Sequence, residues 1–430
     1  MKLNKSTENA LSLIVVQVVN LVLPLLAVPY LAKVLGPENL GNIVFSIAIA
    51  QILVVLTDFG FNLSASRDIA IYKDNIDKIF EIWVSVTIVK TLLTLIGLII
   101  LILSYFLFER IHQNFLIYIL GYTLVIGNLI YPQWLFQGLE KLRFVSFIQV
   151  FSRILVFFLL LFFVKSESDI YWAIFFQCAG GLIAGLILIP SLINILKPAL
   201  KKMPSKDILL SQVKDSWIIF IPNIFGNLYL SCNTFFLGLL LSPTLVANYY
   251  IAEKMIRAAI SLCSPISTAL FPQQVRNFSK SKESALNDSM VIIYFLLSIF
   301  SIGSLITYFT SEYFVNLFFG SEYKQAGYLL KIFSPLPILV MLSIIFANLI
   351  MIPAGLERTF SKIIMYSSIV NVIFFMLLVY YFSNTGAVLA NIFVELIICL
   401  SMFIVLNKSK NNPFIYWKKA IYKIVNGVIR

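Results

Sequence analysis

The chain has 430 residues, of which 60% are hydrophobic and 12% charged, with a formal net charge of +12. A soluble domain of this length does not dispense with so much polar surface, so a water-soluble enzyme or carrier is excluded. The basic excess does not call for nucleic acid, because the lysines and arginines fall between apolar stretches and suit anionic lipid headgroups.

Apolar stretches of 18 or more residues read as membrane helices. Twelve are expected, at 10–32, 40–60, 82–108, 114–136, 144–164, 170–196, 216–238, 243–271, 289–310, 328–353, 361–382 and 385–406. The start, Met1-Lys2-Leu3-Asn4-Lys5, leads into a run that spans fully and lacks a small-residue cleavage site, so it reads as a retained span. With the N-terminus inside, the cytoplasmic segments hold 23 of the 32 lysines and arginines; the outer loops hold Lys33, Arg110, Lys165, Lys324 and Lys331. This bias orients the chain with both termini cytoplasmic.

The most basic loop, 197–215, carries Lys197, Lys201, Lys202, Lys206 and Lys214. It reads as a cytoplasmic linker between an N-terminal six-helix lobe (1–196) and a C-terminal one (216–406). Beyond 407 the pattern changes. Phe414, Trp417, Ile421, Ile424, Val425 and Val428 recur at helical spacing, with Lys418, Lys419, Lys423 and Arg430 opposite. Residues 407–430 are therefore expected to form a cytoplasmic amphipathic tail on the inner leaflet.

The second half echoes the first. Asn128-Leu129-Ile130 and Gly138-Leu139-Glu140-Lys141 return as Asn348-Leu349-Ile350 and Gly355-Leu356-Glu357-Arg358. Leu35-Gly36-Pro37 with Asn42 matches Leu241-Ser242-Pro243 with Asn248. Self-similarity at half the chain length marks a repeat-built transporter. Six spans per repeat is an even number, so the repeats share an orientation and a pseudo-two-fold axis along the membrane normal. The expected fold is thus all-α, two six-helix lobes rocking about a shared site.

Ionisable residues inside spans are costly and mark function. Lys90, Arg153, Glu253, Lys254, Arg257 and Glu395 lie within the expected spans, and Asp58 ends the second. Glu253 and Arg257 are i,i+4 with the acid first, which favours an intrahelical pair, and Lys254 shares their stripe. The register of the repeat puts Ile47, Ala48 and Gln51 at the matching positions, so these charges belong to one half only. The surplus is cationic. Arg257, Lys254, Arg153 and Lys90 are candidate contacts for an anionic substrate such as a phosphate or diphosphate. Glu253, Glu395 and Asp58 are candidates for coupling or for structural pairing. The expected chamber is a cationic cavity between the lobes.

Sites of other chemistry are not encoded recognisably. There is no GxxxxGK[ST], GxSxG or HExxH, and no loop is large enough for a catalytic domain, so no enzyme activity and no cofactor are expected. The cysteines, Cys178, Cys232, Cys263 and Cys399, all fall in spans, and His112 is the sole histidine, so neither a disulfide framework nor a metal site is expected.

Three segments carry a family resemblance. They are Leu23-Pro24-Leu25-Leu26-Ala27-Val28-Pro29-Tyr30 through Gly41, Asp58-Phe59-Gly60-Phe61 through Ala70, and Tyr131-Pro132-Gln133-Trp134 through Glu140. They resemble O-antigen flippases of the Wzx type, in the polysaccharide-transport branch of the multidrug/oligosaccharidyl-lipid/polysaccharide exporter superfamily. The resemblance implies a bacterial inner-membrane protein that flips undecaprenyl-diphosphate-linked sugar repeat units from the cytoplasmic to the periplasmic leaflet. It also implies work alongside an O-antigen polymerase and a chain-length regulator. An exporter of capsule or peptidoglycan precursor, and a membrane-embedded polymerase, are the alternative readings. The family's charge positions vary, so the site residues above rest on this sequence alone.

Overall fold

A computed structural model describes residues 5–197, 204 and 206–428, with side chains for 19, 21–197, 204, 208–217, 220, 233–263 and 265–422. Lys201 and Lys202 of the expected linker lie outside the described residues. The fold is all-helical, 91% helix and without strands among the described residues. That follows from the solvent. In hydrocarbon every backbone N–H and C=O must be bonded within the chain, and a helix does this within one segment.

The helices run in order as α1 (Lys5–Asp58), α2 (Phe61–Ile71), α3 (Ile76–Leu107), α4 (Glu109–Gln113), α5 (Phe115–Gly121), α6 (Thr123–Ile130), α7 (Gln133–Gly138) and α8 (Leu142–Phe163). They continue with α9 (Ile170–Cys178), α10 (Gly180–Leu196), α11 (Lys206–Leu240), α12 (Pro243–Ser261), α13 (Cys263–Lys280) and α14 (Lys282–Phe319). The last are α15 (Lys324–Phe333), α16 (Leu336–Ile344), a π-helical segment (Ile345–Met351), α17 (Glu357–Lys408) and α18 (Trp417–Val428). Residues 206–215, placed in the linker by composition, are the first turns of α11.

Seven stretches among the described residues are long and apolar enough to cross a membrane, or up to nine if two bent helix pairs are each one span. Two of the long helices are broken inside. α1, at 54 residues, would be about 80 Å long if straight, against a hydrocarbon core of about 30 Å. Gly36 breaks it at φ 74°, and Pro37 restarts the helix. α17, at 52 residues, breaks at Ser383, φ 56° and ψ −139°. A Cβ on Gly386 would meet the Leu378 carbonyl oxygen at 1.9 Å, so the chain doubles back there. Gly36 and Ser383 both fall where the sequence divides two spans.

Contacts divide the chain into two compact units, one of 1–238 with 242–247, the other of 239–241 with 248–430. In the first, α6 crosses α10 through small residues. A Cβ on Gly127 would sit 2.7 Å from the Leu182 nitrogen, and one on Gly185 would sit 2.7 Å from Ile130 Cγ2. Glycine permits the close backbone approach on which helix association in lipid depends. Buried Phe61, Ile69, Ile82, Trp134 and Leu135 join α2, α3 and α7 into one core. In the second unit α15 packs along α14, and the π segment packs on α13 and α17.

The repeat is visible locally, with one adjustment. Phe136 accepts from the Lys141 N–H and Met351 from the Leu356 N–H, each at 2.8 Å. The left-handed residues of these two C-terminal caps are Glu140 and Gly355. The cap geometry therefore aligns Glu140 with Gly355, two residues away from the literal Gly-Leu-Glu match. Pro37 and Pro243 both stand at the start of a helix, and Asn42 and Asn248 are both buried.

Candidate functional site

Each unit carries its own set of intramembrane charges. In the first, Lys90 on α3 is almost wholly enclosed, 2% exposed. Its Nζ stands 3.4 Å from Asp58 Oδ1 at the end of α1 and donates to the Asn128 carbonyl at 3.1 Å. Asn62 donates to the other Asp58 oxygen at 2.7 Å. Two candidates far apart in sequence thus form one pair. A carboxylate and a carbonyl take the place of the water that the Lys90 amine loses on burial, and neither partner lies on α3 itself. In this conformation Lys90 is closed to a ligand.

The backbone beside this pair is unusual. Phe59 and Gly60 are both left-handed, φ 45° and 79°. Glycine accepts this; a phenylalanine does so only when its surroundings hold it. The Phe59 ring stacks on Phe220 at 4.6 Å between centroids and also meets Phe61 and Trp217. An aromatic clamp on α11 thereby holds the turn that presents Asp58.

Arg153, on α8, packs its stem toward Gly180 at the α9–α10 break and faces the Tyr131 hydroxyl electrostatically. It is half-buried.

In the second unit, Arg257 Nε and Nη2 both reach Glu253 Oε1 at 2.8 Å. The i,i+4 pair expected from spacing is formed. Glu253 is 10% and Arg257 38% exposed at the side chain, so the glutamate is inside and the arginine is the more open partner. Lys254 lies with Nζ 5.4 Å from the Tyr250 ring centroid, a cation–π contact one turn back. Glu395 on α17 is 4% exposed and accepts a hydrogen bond from the Ser343 hydroxyl of α16. Four residues on, Cys399 Sγ donates to the Leu339 carbonyl of the same helix α16 at 3.0 Å. Glu395 therefore ties α17 to α16. The same helix pairs Asn391 with the Tyr249 hydroxyl at 3.0 Å, and Asn248 accepts from the Ala326 N–H at 2.9 Å.

Several polar contacts had no signal in the sequence. Asp68 is buried and takes bonds from Gln212 at 2.8 Å and Arg67 at 3.0 Å. Arg67 also reaches Asp215 at 3.5 Å. Arg110, placed in an outer loop by the sequence, sits 4.7 Å above the Phe45 ring and donates to the Gly238 carbonyl. The Gln212–Asp68, Arg67–Asp215 and Arg110–Gly238 contacts join positions more than a hundred residues apart, which periodicity cannot connect. Among the described residues no cluster of His, Cys, Asp and Glu could hold a metal ion.

The family of polysaccharide biosynthesis proteins matches residues 6–278. The chain belongs to that family. It is 31% identical, over 95% of its own length and 97% of the relative's, to an Escherichia coli (strain K12) protein named "Putative O-antigen transporter". A Shigella dysenteriae protein of the same name is 28% identical over 92% of the chain and 98% of its own. Among solved structures, the lipid II flippase MurJ in an inward closed conformation matches with TM-score 0.72 at 15% identity, over 95% of this chain and 90% of that one. An inward-facing multidrug MATE transporter of the MOP superfamily matches at 0.62 and 16% identity, covering 90% and 95%. The resemblance read from residues 23–41, 58–70 and 131–140 is borne out, and the fold is that of MOP-superfamily transporters. The chain is a multi-pass membrane protein.

Proposed function

We propose that this protein flips undecaprenyl-diphosphate-linked O-antigen repeat units from the cytoplasmic to the periplasmic leaflet of the bacterial inner membrane. The observation that carries the reading is the match to the Escherichia coli protein along nearly the whole of both chains. Twelve spans, both termini cytoplasmic, and two lobes with a boundary at 197–215 complete the topology. In support, the loop contacts within each unit join segments that this topology puts on one side. Lys73 meets Glu140 at 2.7 Å, Gln325 meets Asn384 at 3.1 Å, and Lys419 meets Glu283.

The mechanism follows from solvation. A glycan head is too polar to cross hydrocarbon, while its prenyl tail can stay in lipid. A wet, cationic central cavity solvates the head, and alternating access exposes it to each side in turn. Arg257, the more exposed partner of its pair, binds the diphosphate or an acidic sugar, helped by Lys254 and Arg153. The enclosed Lys90–Asp58 pair is reached only on a change of conformation. Glu253 orients Arg257, and Glu395 serves packing or coupling.

Deleting the gene in its native host tests this. Surface glycan should be lost and lipid-linked single units should accumulate facing the cytoplasm. Single units that still reach the periplasm and merely fail to join would refute export and favour a polymerase.

A further inference from the structure

The C-terminal helix α18 is used by none of the chemistry above, and its side chains are distributed in a telling way. Ala420 is fully buried, whereas Trp417, Ile421 and Tyr422 are 47%, 41% and 72% exposed. Ile415, just before the helix, is 67% exposed. Trp417 and Ile421 are i,i+4 and share a stripe. Ala420 marks the face turned to the protein, while the Trp417–Ile421 stripe stays about half open. Exposed apolar surface of this kind beside cations marks a lipid interface.

The anchor of the helix is firm. Phe414 packs edge-on between Phe346 of the π segment and Phe403 of α17, with centroids at 6.2 and 5.7 Å. Asn412 caps the turn by accepting from the Phe414 N–H at 2.9 Å. Lys419 pairs with Glu283 in the first turn of α14. That pair brings the tail to the α13–α14 junction, where Arg276, Lys280 and Lys282 are exposed. Lys418 is exposed too, and lies 5.4 Å from the Trp417 ring centroid. Two carboxylates accompany these cations, and both are engaged: Glu283 with Lys419, and Asp288 with Asn277 at 2.9 Å. The remaining charge at this end is positive.

We infer that α18 and the α13–α14 junction form one docking platform for an anionic phospholipid surface. Trp417, Ile421 and Ile415 enter the interface while Lys418, Lys280 and Lys282 meet the headgroup phosphates. The charge complementarity selects anionic lipid over zwitterionic lipid, since each lysine near such a surface gains from its negative potential. Phe414 then transmits the seating of the tail to the π segment, a helical irregularity of the kind that recurs at functional sites. The platform goes beyond glycan export and does not depend on it.

The test uses the full chain in vesicles of phosphatidylcholine alone, or of phosphatidylcholine and phosphatidylglycerol in equal parts. Hydrogen exchange is read on peptides covering 413–422, with no glycan present. Exchange in the tail should slow in the anionic vesicles, and the slowing should weaken as salt is raised. Lys418→Gln should reduce the slowing about fivefold, and Lys280→Gln by a similar factor. Equal exchange of the wild-type tail in both vesicles would overturn the inference, whatever the variants do. Slowing by soluble pyrophosphate in phosphatidylcholine vesicles would also overturn it, because it would make the platform a free-phosphate site.

Discussion

The Lys90–Asp58 pair makes an asymmetric prediction. Truncating one partner of a buried pair costs about 3–5 kcal/mol, because the other charge is left behind unpaired. Here the two remnants differ. Lys90→Met leaves Asp58, whose side chain is 21% exposed and which keeps the 2.7 Å bond from Asn62. Water and an amide share the orphaned charge, so the cost should sit near the lower end, about 3 kcal/mol. Asp58→Asn leaves Lys90, 3% exposed at the side chain, with the Asn128 carbonyl at 3.1 Å. That cost should approach about 5 kcal/mol. The double variant buries no unpaired charge and should fall within about 1 kcal/mol of wild type, as replaced buried pairs commonly do. The assay is equilibrium unfolding in mixed micelles, read as a double-mutant cycle. Additive costs, or a smaller cost for Asp58→Asn than for Lys90→Met, would refute the pairing as the source of the stability.

Three further outcomes are expected. Arg257→Ala should abolish glycan export in folded, inserted protein, and Arg257→Lys should restore part of it by keeping charge without the bidentate fork; full export by Glu253→Gln with Arg257→Gln would show that the arginine only neutralises its neighbour. Gly185→Leu should wedge α10 from α6, because even a Cβ there meets Ile130 at 2.7 Å, costing about 1–3 kcal/mol in the same micelle assay; an unchanged midpoint would mean that the crossing yields. The hydrogen bond and then the charge of Glu283 raise the Lys419 pKa. The tie of the tail should therefore persist below about pH 10.4 and be lost as pH rises beyond it, since a raised folded pKa stabilises only while the lysine is protonated. Proteolysis of the tail that does not increase on going to higher pH would contradict this.

The resemblance at residues 23–41, 58–70 and 131–140, the all-helical class and the membrane-spanning character could be read from sequence because they rest on local properties. A run of apolar residues leaves the backbone no partner but itself, and the Glu253–Arg257 pair is set by one helical turn. The breaks at Gly36 and Ser383 were likewise foreseen from where apolar runs stop. Tertiary structure decided which distant groups meet. Lys90 finds Asp58 and the Asn128 carbonyl, Glu395 finds Ser343, and Arg110 finds Phe45 and Gly238. It also moved the register of the repeat, since Glu140 and Gly355 share a cap that their residue types do not announce. The reason is one of range. Hydrophobicity and helical spacing act within a turn or a span and are written in adjacent letters. The partner of a buried charge is chosen by how whole helices pack, and packing in lipid depends on small-residue contacts such as Gly127 against α10 that no periodic pattern specifies.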